Sequence, residues 1–186
     1  SATFDATADS WFWDSLDKTQ AVIHIPEGIT SIGAYAFDGC SALASVSIPE
    51  GVTSIGAYSF AYQDFITSLA LPETVTRIGT HAFYNCNGLS AVVFPAGIAT
   101  IGDGSFRYCF ALQNIVFRGD APEFVKNSSA VSMNFQEVVA DVYYPAGNST
   151  WEGENVRQNY GGTLTWKTGC DGGHTIVTIP GKAATC

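Results

Sequence analysis

ASVSIPEGVTSIGAYSFAYQDFI, residues 44–66, is one turn of a pattern that the chain repeats every 23 residues. Pro26, Pro49, Pro72 and Pro95 stand 23 residues apart, and the same step joins Ile32, Ile55, Ile78 and Ile101. It also joins Gly33 to Gly56, Gly79 and Gly102, and Phe37 to Phe60, Phe83 and Phe106. Independent positions that keep one register over four turns mark a solenoid, whose repeats bury their apolar faces only against their neighbours. An array of this kind is usually an extended display surface and seldom a catalytic pocket.

Within the unit, Val46 and Ile48 alternate with Ser45 and Ser47, the period-2 pattern of a short strand. The equivalent pairs are Ile23 and Ile25, Leu69 and Leu71, Val92 and Phe94, and Ile115 and Phe117. Proline then ends the strand, because it has no N–H for the ladder. A turn follows at Glu27-Gly28, Glu50-Gly51 and Ala96-Gly97, and Glu73-Thr74 shows that its glycine is not obligatory. A second extended piece, residues 52–55, closes at Gly56. Phe60, Gln63 and Ile66, three residues apart, predict a short helical or 3₁₀ segment on the third side. The expected fold class is therefore an α/β solenoid with short strands on one face. Stacking repeats at the strand spacing of about 4.8 Å would turn Phe37, Phe60, Phe83 and Phe106 into a buried ladder.

The chain of 186 residues is 46% apolar and 13% charged, enough to build a core and too ordered in composition for disorder. Its net charge of −9 excludes the usual nucleic-acid binder, which needs clustered Lys and Arg, and also argues against anionic lipid. No apolar run approaches the roughly 20 residues that span a bilayer, so direct membrane insertion is not expected. No signal peptide is visible, and the single Met133 is internal, which suggests a piece of a longer product.

The stretch IPEGVTSIGAYSFAYQDFITSLALPETVTRIGTHAFYNCNGLSAVVFP, residues 48–95, carries IP, IG, AF and C-x-x-L elements together. It resembles the BspA-like leucine-rich repeats of bacterial surface proteins, over residues of about 21 to 120. DVYYPAGNSTW followed by YGGTLTW resembles the end piece that often follows such arrays, and CDGGHTIVTIPGKAATC is more loosely similar to a linker after them. The resemblance implies a right-handed leucine-rich-repeat array in a secreted or wall-attached protein, used for adhesion or partner binding. This copy departs from the pattern at Gln63, where other turns have Cys, and at Ile66 for Leu.

A solenoid needs caps. Residues 1–19, with Phe4, Trp11, Phe12, Trp13 and Leu16, are read as the N-terminal cap, and residues 20–121 as the repeats. The register is lost at Pro122, so residues 122–168 are read as the other cap and 169–186 as a tail or the start of a linker. Cys40, Cys86 and Cys109 share one repeat position and are expected to be reduced core thiols. Cys170 and Cys186 flank a Gly-rich stretch that a disulfide could close in an oxidising compartment, while zinc held with His174 lacks a fourth candidate. His24 and His81 have no second ligand at metal spacing, so neither a metal nor another cofactor is expected. Arg118-Gly119-Asp120 spells an integrin-binding tripeptide at a point where a turn is needed anyway. Asn127-Ser128-Ser129 and Asn148-Ser149-Thr150 fit the glycosylation pattern and read as plain loops in a bacterial protein.

Two stripes emerge from the register. One is the exposed strand face: Val22, Ser45, Ser68, Ala91 and Asn114, with His24, Ser47, Ala70, Val93 and Val116 beside them, uncharged and more apolar toward its C-terminal end. The other comprises Tyr35, Tyr58, Tyr62, Tyr84, Arg107 and Tyr108, with His81 and Asp38 among them. Tyr and Arg are over-represented at interaction hot spots, so these six are the candidate ligand-binding residues. Catalytic motifs such as G-x-S-x-G, H-E-x-x-H and the Walker pattern are absent. Glu27, Glu50 and Glu73 would recur about 5 Å apart, as in a retaining glycosidase, but on a turn without a cleft. The expectation is a non-catalytic extracellular module that binds a protein or glycan, such as one on a host surface. The alternative is an architectural spacer in a larger surface protein.

Overall fold

The computed structural model describes residues 2–4, 21–38, 40, 43–153, 156–169, 175–179 and 182–185, with side chains for 23–38, 40, 43–153 and 156–169. Trp11, Trp13, Cys170, His174 and Cys186 lie outside the described residues.

The alternating segments form the first strand of each coil. Strands β2 (Ala21–His24) and β4 (Leu43–Ser47) pair in parallel, and β4 packs beside β6 (Ser68–Ala70). From there one parallel sheet runs through β8 (Ala91–Phe94), β10 (Asn114–Phe117), β12 (Val139–Tyr144) and β13 (Thr163–Thr168). Its register places Leu69 opposite Val92 and Val92 opposite Ile115, the 23-residue step seen in the sequence. The second extended pieces form another parallel sheet of six strands, in the order β1 (Ala2–Phe4), β3 (Ile29–Ile32), β5 (Ser54–Ile55), β7 (Arg77–Ile78), β9 (Thr100–Ile101) and β11 (Glu123–Phe124). Here Ile32, Ile55, Ile78, Ile101 and Phe124 follow one another in register. Residues 122–168 thus continue both sheets without keeping the repeat length. An antiparallel hairpin of β14 (Thr175–Ile179) and β15 (Lys182–Thr185) ends the chain.

The third side of the coil is a run of turns, which corrects the α/β expectation: the fold is a β-solenoid. Among the described residues the one helical element is a 3₁₀ turn, η1 (Ser149–Trp151). The reason lies in the backbone. Tyr58 and Tyr62 adopt φ values of 54° and 61°, as do their counterparts Tyr35, His81, Asn85 and Tyr108, with φ between 56° and 64°. Left-handed residues interrupt a helix. The N–H groups instead donate to the following coil: Tyr58 to Thr80 O (3.1 Å), Phe60 to Ala82 O (2.8 Å) and Tyr62 to Tyr84 O (2.8 Å). A three-residue apolar spacing is common to helices and to such turns, and the destination of the N–H groups decides between them.

The core is a set of ladders. Phe37, Phe60, Phe83 and Phe106 are all buried and stack face to face, with centroids 4.8, 5.3 and 5.1 Å apart. Phe135 extends the stack at 5.7 Å, although it stands outside the 23-residue register. At Gly56, Gly79 and Gly102 the coils approach so closely that a Cβ would lie 2.6, 2.7 and 2.4 Å from the backbone of the preceding coil. That close approach is why glycine recurs at this corner.

Candidate functional site

The turn wall gathers the tyrosine stripe into one aromatic surface. Its left-handed backbone points the rings outward at 35, 58 and 81 and again at 62 and 108. Tyr35 stacks on Tyr58 at 5.1 Å, and Tyr58 on the His81 imidazole at 4.8 Å. Tyr84 sits between the two rows, edge-on to Tyr62 (5.4 Å), His81 (5.2 Å) and Tyr108 (5.5 Å). The Arg107 guanidinium lies 4.6 Å from the Tyr108 ring centre and donates from Nη2 to the Tyr108 hydroxyl (2.7 Å). All six expected residues therefore belong to one continuous surface. Tyr35 is 49% exposed and Tyr62 46%, while Tyr58, Tyr84, Arg107 and Tyr108 are half-buried.

Two phenylalanines on this side escaped the sequence reading. Phe110, 63% exposed, stacks on Tyr108 at 6.0 Å, and Phe65 is 62% exposed. Their counterparts in other turns are small or polar, such as Asp64, Asn87 and Gly88, so no periodic signal marked them. His81 also belongs to the stack. Burial lowers its pKa, with Arg107 acting in the same direction and Asp103 opposing. Desolvation, followed by the neighbouring Tyr62, raises that of Tyr84. The stack stops at Gly104, where a Cβ would lie 2.7 Å from His81 Nε2.

The strand-face stripe is only partly exposed. Ser45, Ser47 and His24 are exposed as expected, whereas Ala91, Val93 and Val116 are buried. The Arg118-Gly119-Asp120 tripeptide is a fixed corner and not an open loop. Arg118 Nη1 pairs with Glu73 Oε1 at 2.5 Å, and Gly119 O accepts from Trp151 Nε1 at 2.9 Å. Asp120 Oδ1 accepts from Asn148 Nδ2 at 2.9 Å, and a Cβ at Gly119 would meet Ala96 O at 2.1 Å. The two glycosylation-type asparagines likewise bond to their own backbone turns, through Asn127 Oδ1 to Ser129 N and Asn148 Oδ1 to Thr150 N. Among the carboxylates, Glu73 is engaged by Arg118, and Glu50 Oε1 accepts from the Glu73 N–H at 3.4 Å.

Cys86 and Cys109 are buried free thiols that donate to Phe60 O (3.0 Å) and Phe83 O (3.1 Å). Burial pushes the Cys109 thiol well above its ordinary pKa, and burial with Asp38 nearby pushes half-buried Cys40 to about 11. Low reactivity follows from both shifts. A cleft of about 370 Å³ runs along β5, β7 and β9 over Gly56, Gly79 and Gly102, and another of about 240 Å³ lies between Phe124, Lys126 and Tyr160. None of the six wall residues lines either one. No group of three or more His, Cys, Asp or Glu at metal-binding distance occurs among the described residues, and no described helix is long and apolar enough to cross a membrane.

Comparison with known proteins supports the same architecture. The chain is similar in fold to a leucine rich repeat protein of T. pallidum, at 23% identity and a TM-score of 0.55 over 72% of this chain and 67% of that one. It is also similar to a leucine-rich repeat protein of Eubacterium ventriosum, at 25% identity and a TM-score of 0.56 over 67% of this chain. The match covers 32% of the Eubacterium protein, which is therefore much the longer chain. No curated protein sequence matches it. The family description "BspA type Leucine rich repeat region" matches residues 10–135 in six copies. With two thirds of its length accounted for by those copies, the chain belongs to the BspA type leucine rich repeat family.

Proposed function

We propose that this chain is a non-catalytic binding module of a bacterial cell surface, which engages a protein or glycan through the aromatic wall of Tyr35, Tyr58, Tyr62, Tyr84, Arg107 and Tyr108. One observation carries the reading. Five of the rings, counting His81, stand on residues with positive φ, where a side chain costs of the order of 1 kcal/mol or more. The fold itself accepts Gly104 in the ring position of one coil and Asn85 in that of another. Rings that the backbone does not need, placed on the surface beside an Arg, fit the composition of interaction hot spots. The module then works by display, since its rigid coils hold the rings at fixed spacing and little ordering is required on binding.

Surface capture of matrix proteins and mucin glycans by the intact chain tests this, with a Tyr62→Ala/Tyr84→Ala/Tyr108→Ala variant beside it. Saturable capture should fall at least tenfold in the variant while its melting temperature stays within a few degrees. Capture that survives the triple change counts against the wall. The second reading is an architectural spacer. It is favoured by the stacking of Tyr35, Tyr58 and His81 on one another, which can serve the stack alone. A triple variant that melts much lower and a wild type that captures nothing would support it.

A further inference from the structure

Along the outer face of the first sheet, exposure changes abruptly. Ser45 and Ser47 of β4 are exposed, whereas Ala91 and Val93 of β8 and Val116 of β10 are 4%, 7% and 1% exposed. These three point away from the core, since Val92, Phe94, Ile115 and Phe117 between them fill it. The covered part of the face is the apolar part, on β8 and β10, and β14 meets the adjoining strand β6, whose outward Ser68 and Ala70 are half-buried. Strands β14 and β15 pair with each other, through Val177↔Ala184 and Thr178↔Ala183, and with neither large sheet. A two-stranded hairpin alone is marginal in water, so it needs an apolar support. The strip ends in charge at its other side, where Lys167 Nζ pairs with Asp141 Oδ2 at 2.7 Å beside Tyr143.

We propose that the outer face of β6, β8 and β10 is an apolar docking strip whose occupant is this chain's own C-terminal hairpin, held as a detachable cover. The hairpin pairs with neither large sheet, and the strip's apolar face is the support that it takes. Local opening is cheapest for units that lie outside the main sheet ladders. Release of the hairpin uncovers Ala91, Val93 and Val116, a contiguous apolar surface of the kind that marks an interaction site. The strip lies on a different side of the coil from the aromatic wall, so the two surfaces act independently.

Trypsin reports the cover directly, because Lys182 is part of β15. In the full chain, Val116→Asp places a charge under the hairpin, and Ser45→Asp places one on the uncovered part of the same face. Cleavage after Lys182 should become at least tenfold faster in Val116→Asp, followed by the loss of the last four residues in the intact mass. Ser45→Asp should leave it unchanged. Equal rates in the wild type and Val116→Asp overturn the proposal. An aspartate at so buried a site can also unfold the sheet, so the wild-type chain supplies a second measurement. In rising urea, exchange protection of the β14 amides should disappear before that of β8 and β10, and simultaneous loss also overturns the proposal. Capture through Tyr62, Tyr84 and Tyr108 is read separately, so failure of either idea leaves the other standing.

Discussion

Gln63 stands where other turns carry cysteine, and its chemistry explains both residues. Its Nε2 donates to Phe37 O at 2.7 Å and to Ala61 O at 3.1 Å, while Cys86 and Cys109 donate to the equivalent carbonyls one and two coils further on. The position thus requires a small buried donor, and both thiol and amide supply one. Gln63→Leu should cost about 1–3 kcal/mol, because the Phe37 and Ala61 carbonyls lose the amide donor, Phe37 O keeping the Cys40 N–H. Gln63→Cys should cost less, and urea unfolding of the two variants compares them. The sequence marked Gln63 as a departure but could not show its acceptor, which lies 26 residues away. His81 provides a second residue-scale test. Burial lowers its pKa in the fold, with Arg107 adding to that and Asp103 opposing. The unfolded chain then binds a proton near pH 6.5 while the folded chain stays neutral. Stability from this group is complete above about pH 6.5 and declines as pH falls toward the lower folded pKa. His81→Phe keeps a ring in the stack without titrating, so its melting temperature should drop less between pH 7 and pH 5 than that of the wild type.

Among the elements, the Phe ladder and the exposed wall make contrasting predictions. Phe83 is buried between Phe60 and Phe106, so Phe83→Ala should cost about 3–5 kcal/mol. Phe65 is exposed, and Phe65→Ala should stay within about 0.5 kcal/mol. Chemical denaturation of both variants measures the difference, and a costly Phe65→Ala would mean that the wall holds the stack together. Both strands of each coil were legible in advance. Alternation set the first, a Pro stopped it, and Ile55 with Gly56 fixed the second. The turn wall was not legible as such. Phe60, Gln63 and Ile66 fit a helix in spacing, and tyrosine gives no warning of positive φ, which sequence reasoning assigns to Gly and Asn. Long-range hydrogen bonds to the next coil made those conformations tolerable.

For the whole molecule, stability is close to a sum of neighbouring coil contacts, because each repeat packs mainly against the next, with the Arg118–Glu73 pair reaching one coil further. Native-state hydrogen exchange should therefore be slowest for the inter-coil amides of β5, β7 and β9, flanked on both sides, and faster at β11 and β13, at the end of each sheet. Uniform protection from end to end would contradict a nearest-neighbour stack. The 23-residue register by itself determined the solenoid, its core ladders, both sheets and the stripe of tyrosines, since periodic burial needs only the order of residue types. It resembled the BspA type repeats on the same grounds. Tertiary structure alone decided the rest, because each case depends on groups distant in sequence. Glu73, Trp151 and Asn148 convert the Arg-Gly-Asp tripeptide into a fixed corner. Val93 and Val116, which alternation had placed on the surface, are buried in the fold, and neither the corner nor that burial leaves any periodic trace in the sequence.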